Sequence, residues 1–110
     1  MNNNTVYLAH IVEAIEKIEK YLRKASDIQQ FVSNDMLFDA VLREMEIIGE
    51  AANNVEIDFR EIHPDIPWQK MISLRNILIH EYFGVNGQIV WETCQKDIPQ
   101  LKKLLLPLLS

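Results

Sequence analysis

Residues that break helices or cross-link a chain are scarce in this sequence. Its 110 residues include three glycines, four prolines and one cysteine, Cys94. Because glycine and proline dominate tight turns, their scarcity argues against long loops and many turns, and it favours an all-helical protein. A single cysteine excludes an intrachain disulfide and a metal cage of thiolates, so we expect the protein in the reducing, cytoplasmic compartment.

Long apolar segments and excess positive charge are also missing. The longest apolar run, residues 104–109, is far too short to cross a membrane, and the first residues show no signal-peptide pattern. The formal net charge of −5 argues against a broad nucleic-acid-binding surface but permits a small basic cleft. With 48% hydrophobic and 25% charged residues, the chain is expected to form one globular domain over residues 1–110.

Apolar residues recur at three- and four-residue steps through most of the chain, which is the spacing of amphipathic helices. The pattern predicts helices over about residues 4–26, 34–53 and 67–83, with Ser33 or Asn34 capping the second. Asn86 can cap a last helical region, in which Pro99 should cause a kink or break near Asp97. Together these features predict an all-α protein of four to five helices.

Arg75 breaks the hydrophobic pattern of the third helix, because it lies in the middle of an apolar stripe. A guanidinium group is tolerated there when it is paired, or when the stripe lines a wet cleft. The second helix offers Glu44, Glu46 and Glu50 as carboxylate partners, and the sequence leaves the choice among them open. Gly49 in the same helix costs roughly 1 kcal/mol relative to alanine, which a close approach of another helix would explain.

Several segments around Arg75 form a recognisable pattern. Residues 75–82 read Arg-Asn-Ile-Leu-Ile-His-Glu-Tyr, preceded by Ile-Pro-Trp at 66–68 and followed by Val-Trp at 90–91 and Asp-Ile-Pro-Gln-Leu at 97–101. Residues 46–51, Glu-Ile-Ile-Gly-Glu-Ala, add a second signature. The chain therefore resembles the HepT-type branch of the HEPN superfamily over nearly its whole length. Ser73 stands where glycine is expected, and Asn86 where aspartate is usual.

The resemblance implies an up-and-down bundle of four to five helices that forms a two-fold homodimer, with the two Arg-x4-His helices facing each other across a cleft. It implies a metal-independent endoribonuclease without a cofactor, acting as the toxin of a toxin–antitoxin pair. The antitoxin would be a minimal nucleotidyltransferase, which in some members transfers AMP to the motif tyrosine, here Tyr82. The substrate would be RNA, and no membrane would be involved.

The residue types of the motif fit this chemistry. His80 titrates near neutrality and can act as general acid or base, while Arg75 can hold two phosphate oxygens. Asn76, one turn before His80, can orient the imidazole or bind phosphate, and Tyr82 can bind phosphate or carry the modification. Because one chain offers a single motif histidine, a two-fold dimer would supply the second proton carrier.

Two other interpretations are compatible with the same residues. The chain could be a non-catalytic nucleotide- or substrate-binding subunit of a nucleotidyltransferase complex, in which Arg75 grips a phosphate without cleavage. It could also be a plain helical dimerisation protein with Arg75 in a buried ion pair. A metal site is not expected, because His10, His63 and His80 do not share a ligand spacing, and the three isolated glycines form no phosphate-binding loop.

Overall fold

The structure, a computed structural model, describes residues 3–80 and 86–109, with the backbone alone for residues 76–80. The regular elements of the described residues are all helical, which confirms the predicted all-α class. They are α1 (Asn3–Leu22), α2 (Ile28–Ser33), α3 (Asp35–Asn54), α4 (Ile57–Ile62), α5 (Trp68–His80), α6 (Gly87–Glu92) and α7 (Ile98–Leu105). A π-helical segment (Thr93–Asp97) joins α6 to α7, and a 3₁₀ turn (Leu106–Leu108) follows α7.

Helix α3 is the centre of the bundle, because it packs against α1 on one side and α5 on the other. Its core row, at three- and four-residue steps, includes the fully buried Val41, Ile48 and Ala52. These meet an equivalent row on α1, to which Ile11 and Ile18 belong. Each buried isoleucine or valine stabilises the fold by about 1.5–3 kcal/mol. The predicted amphipathic pattern thus places α3 between its two neighbours.

Side-chain caps fix where the helices begin. Asn34 accepts a hydrogen bond from the Leu37 N–H at 3.1 Å, which identifies it as the cap of α3. Asn86 accepts from the Gln88 and Ile89 N–H groups at the start of α6, as predicted. Each such cap contributes about 1 kcal/mol to helix stability.

The structure differs from the sequence-based expectation in two connecting regions. The first helix, predicted to reach residue 26, ends at Leu22. Residues 27–33 lie between two predicted helices, and they contain α2, capped by Asp27 at 2.9 Å from the Gln30 nitrogen. A short helix of this kind has no long apolar periodicity for the sequence to display. The same holds for α4, which lies between the predicted helices at 34–53 and 67–83.

The last helical region is interrupted near Asp97 as predicted, because the π-helical segment separates α6 from α7. In this segment the Ile98 N–H donates to the Thr93 carbonyl five residues back. Pro99 has no N–H to donate to Gln95, and the wider turn lets the helix continue without that bond. Cys94 lies buried in this segment, and burial raises the pKa of its thiol to about 12.

Within the part of the chain that the structure describes, no helix has the length and apolar character that a membrane crossing requires.

Candidate functional site

The site is built where α5 crosses α3 at Gly49. A Cβ atom placed on Gly49 would lie 2.6 Å from the Arg75 Cβ, 2.8 Å from the Arg75 nitrogen and 3.0 Å from the Met71 carbonyl oxygen. Real Cβ atoms do not come so close to a neighbouring backbone, so only glycine allows this approach. The predicted close helix–helix contact is thereby confirmed, and it holds the backbone of Arg75 against α3.

The carboxylate partner of Arg75 is Glu50. The Arg75 Nε lies 2.7 Å from the Glu50 Oε2, and the two side chains are 35% and 55% exposed. Glu46 lies instead 3.7 Å from Arg43, and Glu44 is buried away from this pair. The structure therefore decides among the three carboxylates that the sequence left open.

The geometry of this ion pair leaves most of the guanidinium available. Arginine carries five N–H donors, and Glu50 engages the one on Nε. Among the described residues, no side chain or carbonyl accepts from the two terminal amino groups of Arg75. Since the pair is partly exposed, its contribution to stability is about 0–1 kcal/mol. In the single chain this arrangement differs from the buried ion pair expected of a plain helical dimerisation protein. The two terminal amino groups of Arg75 can donate to a phosphate.

The other predicted site residues lie at the edge of the described region. Asn76 and His80 belong to the described backbone of α5, but their side chains lie outside the described residues, as does Tyr82 entirely. One continuous helix nevertheless carries Arg75 and His80, five residues and about 7.5 Å apart along the axis. The roles of Asn76, His80 and Tyr82 remain predictions.

A polar pocket of about 260 Å³ adjoins the ion pair on the opposite side of Glu50, between α1 and α3. It is lined by Tyr7, His10, Arg43, Glu46, Ile47, Glu50, Ala51 and Asn54. The sequence did not indicate that residues of α1 lie near Glu50, because only the packing of α1 on α3 brings them together. A second, more apolar pocket of about 240 Å³ lies between the start of α5 and α7 and does not contain Arg75.

The described part of the chain does not contain a set of side chains arranged as metal ligands. No group of three or more histidine, cysteine, aspartate or glutamate side chains there is arranged to hold a metal ion.

Comparison with known proteins decides the family. The model of the HepT-like ribonucleases matches residues 11–108. The chain belongs to the HepT-like ribonuclease family. This finding confirms the resemblance drawn from the motif, and with it the expected class of enzyme, a ribonuclease.

Individual relatives of this HepT-like chain agree with the family model. A probable ribonuclease HepT of Thermococcus cleftensis is 46% identical over 96 residues, covering 87% of this chain and 86% of the relative. A proposed RNase of Caldanaerobacter subterraneus is 43% identical over 104 residues, covering 94% and 92%. No solved structure matches the chain.

One relative is longer than this HepT-like chain. A protein of Methanocaldococcus jannaschii, named as a gamma-glutamylcyclotransferase and proposed RNase, is 44% identical over 105 residues. The match covers 96% of this chain but 47% of that relative, so the chain spans about half its length. The gamma-glutamylcyclotransferase activity in that name is not assigned to this chain.

Proposed function

We propose that this chain is the toxin of a toxin–antitoxin pair, and that it cleaves RNA without a metal ion. The site would combine Arg75, Asn76, His80 and Tyr82 from two copies that face each other across a two-fold axis, in the cytoplasm. The observation that carries the proposal is the Arg75–Glu50 pair. Glu50 holds Nε at 2.7 Å while the terminal amino groups of a half-exposed guanidinium have no acceptor among the described residues.

The proposed reaction uses the nucleophile that RNA already contains. His80 takes the proton of a 2′-OH group, whose oxygen forms a bond to the adjacent phosphorus. The bond from phosphorus to the 5′ oxygen breaks, and His80 of the second copy donates a proton to that leaving oxygen. The products are a 2′,3′-cyclic phosphate and a free 5′-OH. Arg75 stabilises the extra negative charge that develops on the phosphate oxygens.

A dimer would supply two features that a single chain lacks. Acid–base cleavage needs two proton carriers, whereas each chain supplies one motif histidine. The net charge of −5 disfavours binding of a polyanion over the whole surface, but two adjacent Arg75 side chains would present the N–H donors that Glu50 leaves free in one cleft. We propose that a nucleotidyltransferase antitoxin silences this cleft, either by covering it or by transferring AMP to the hydroxyl of Tyr82.

The first test is growth on induction of the wild type, Arg75→Ala and His80→Ala, each alone and together with the neighbouring nucleotidyltransferase gene. Arg23→Ala is the matched control, because Arg23 is an exposed arginine at a different pocket, beside the π-helical segment. We expect arrest with the wild type and the control only, and relief by the partner. Full toxicity of His80→Ala would refute the catalytic role of His80.

Purified protein tests the chemistry directly. Wild type should cleave RNA equally with and without chelator, and the upstream fragment should end in a cyclic phosphate. Cleavage should fall by at least about 100-fold in His80→Ala, the size typical of a lost general acid–base group. Loss of cleavage on adding chelator would contradict the metal-independent mechanism.

A non-catalytic binding subunit is the second candidate, because the free donors of Arg75 would serve phosphate binding equally well without any cleavage. Under that function the wild type would cause no arrest, and purified protein would bind a nucleotide with an affinity that Arg75→Ala abolishes and His80→Ala leaves unchanged. The two functions are thus separated by the His80 variant.

A further inference from the structure

The polar pocket beside Glu50 is one end of a longer groove. A second pocket of about 120 Å³ adjoins it between the same two helices, and His10 and Ile47 line both. The smaller pocket is completed by Glu13, Ala14, Lys17 and Glu44. We call the two pockets together the α1–α3 groove. It extends from Glu44 at one end to Glu50, the partner of Arg75, at the other.

Glu44 is the unusual member of this groove. It is 7% exposed, and it makes no hydrogen bond or ion pair with any described residue. Every other carboxylate of the groove has a cation beside it: Glu13 has Lys17 at 3.8 Å, Glu46 has Arg43 at 3.7 Å and Glu50 has Arg75 at 2.7 Å. A buried carboxylate without a partner is costly, so a native fold that keeps one has a reason to do so.

The Glu44 oxygens are not sealed inside the core. In the described part of the chain, no side-chain nitrogen or oxygen is fully buried without a hydrogen-bond partner. The carboxylate of Glu44 therefore keeps its access through the smaller pocket, which it lines. An acceptor that is buried at its stem and open at its tip is a recognition element for an incoming donor.

The chemistry of a carboxylate defines the ligand that fits. Two adjacent oxygens, both acceptors, match a planar edge with two adjacent N–H donors. Among the four RNA bases only guanine presents such an edge, through N1–H and its 2-amino group. Adenine and cytosine each place a ring acceptor beside their amino group, and uracil places carbonyl oxygens on both sides of its N3–H.

The rest of the groove suits a base in a single RNA strand. Tyr7 and His10 provide rings on which a base can stack, and Ile47 provides an apolar wall. Lys17 and Arg43 lie beside the groove and can approach the flanking phosphates. Glu44 and Glu50 are six residues apart on α3, about 9 Å along the axis, so the base would flank the phosphate held by Arg75.

We propose that the α1–α3 groove is a nucleobase subsite, in which Glu44 selects guanine at a fixed position beside the bond that is cut. The proposal rests on the proposed ribonuclease function. An arginine side chain of a partner protein also presents two N–H donors, and it can stack on Tyr7 or His10 as well. RNA is the proposed occupant because the groove adjoins the pair of Glu50 with Arg75, the proposed phosphate site, and the protein ligand becomes an outcome of the test.

The test maps cleavage sites in a pool of randomised RNA for wild type, Glu44→Gln and Glu61→Gln. Glu61→Gln is the matched control, since Glu61 is exposed and lines neither pocket of the α1–α3 groove. Wild type and control should show guanine enriched at one position relative to the cut. Glu44→Gln, which offers one acceptor and one donor, should cleave with a guanine preference weakened by about 5- to 150-fold.

A substitution in the RNA checks the same contact without altering the protein. Inosine lacks the 2-amino group, so replacing the selected guanosine by inosine should raise KM for wild type with little change in kcat. The same replacement should have almost no effect on Glu44→Gln. This measurement stays decisive even if the variant folds poorly.

The outcomes separate failure of the subsite from failure of the proposed function. Cleavage without a preferred base, or a guanine preference that survives Glu44→Gln, would overturn the subsite and leave the ribonuclease function intact. If wild type cleaves no RNA, the proposed function fails, and NMR titration with guanosine and inosine monophosphates still tests the groove. Absent or equal binding of the two would overturn the subsite, and so would tighter binding of N-acetyl-arginine amide in their place.

Discussion

The two sides of α3 differ in what lies beside the neighbouring helix. On the α5 side, Gly49 leaves no room for a side chain, because an added Cβ would lie 2.6 Å from the Arg75 Cβ. On the α1 side, the polar α1–α3 groove runs along the helix, and it contains Glu44, a carboxylate without a partner among the described residues. The contrast teaches that one helix can hold a cation in a tight contact on one side and line an open groove on the other, with Glu50 bordering both.

The largest effect should come from filling the close contact. Gly49→Ala places a Cβ 2.6 Å from the Arg75 Cβ, so α5 must shift, and overpacking of this kind costs typically 1–3 kcal/mol. We expect a lower urea midpoint together with loss of RNA cleavage.

Gly87→Ala is the control for this substitution. Its added Cβ would lie 2.5 Å from Val32 Cγ1, a side-chain methyl group and not a backbone atom. We expect a comparable loss of stability but normal cleavage, because the clash does not involve Arg75. If Gly49→Ala is as active as Gly87→Ala, the α3–α5 contact does not hold Arg75 in place.

An intermediate effect is expected from the ion pair that joins the two sides. Glu50→Ala removes the acceptor at Arg75 Nε, so the guanidinium loses its orientation, and kcat should fall by about tenfold with stability changed by less than about 1 kcal/mol. Glu50→Gln keeps an acceptor oxygen and should recover part of kcat.

Glu46→Gln is the matched control for Glu50. It removes a charge one turn earlier, from the exposed pair with Arg43. Its kcat should equal that of the wild type. A fall in kcat as large as that of Glu50→Ala would mean that the lost negative charge matters, and not the position of Arg75.

The smallest effect is expected at the unpaired carboxylate. Because the Glu44 oxygens have no partner among the described residues and keep access to the α1–α3 groove, Glu44→Gln should change the free energy of unfolding by less than about 0.5 kcal/mol. Thermal unfolding measures the change, with Glu13→Gln as the exposed control. A destabilised Glu44→Gln would show that the carboxylate has a partner in the folded protein.

The sequence predicted the fold well where the signal is periodic. The all-α class and the long helices α1, α3 and α5 follow from apolar rows at three- and four-residue steps, and the caps Asn34 and Asn86 follow from the preferred cap chemistry. The short helices α2 and α4 were missed because six residues carry too little periodicity. The predicted interruption near Asp97 is present, as a π-helical segment that accommodates the missing N–H of Pro99.

The residues of the site also fall into those that the sequence marked and those that it did not. A charge on an apolar stripe marked Arg75, and a glycine in mid-helix marked the place where α5 crosses α3, so both were visible in the sequence. The choice of Glu50 over Glu44 and Glu46 was not visible, because all three lie within two turns of one helix. The choice depends on how α3 is rotated about its own axis relative to α5, and the packing of the whole core fixes that rotation.

What the sequence alone determined is therefore local: which segments are helical, where they begin, and that Arg75 with its motif places the chain among HepT-like ribonucleases. Only the tertiary structure decided which side chains from different helices come into contact. Glu50 reaches Arg75, and Glu44 borders a groove with Tyr7 and His10, which lie more than 30 residues earlier in the chain. Helix periodicity is a property of neighbours in sequence, whereas the contact of two side chains on different helices depends on how the helices pack.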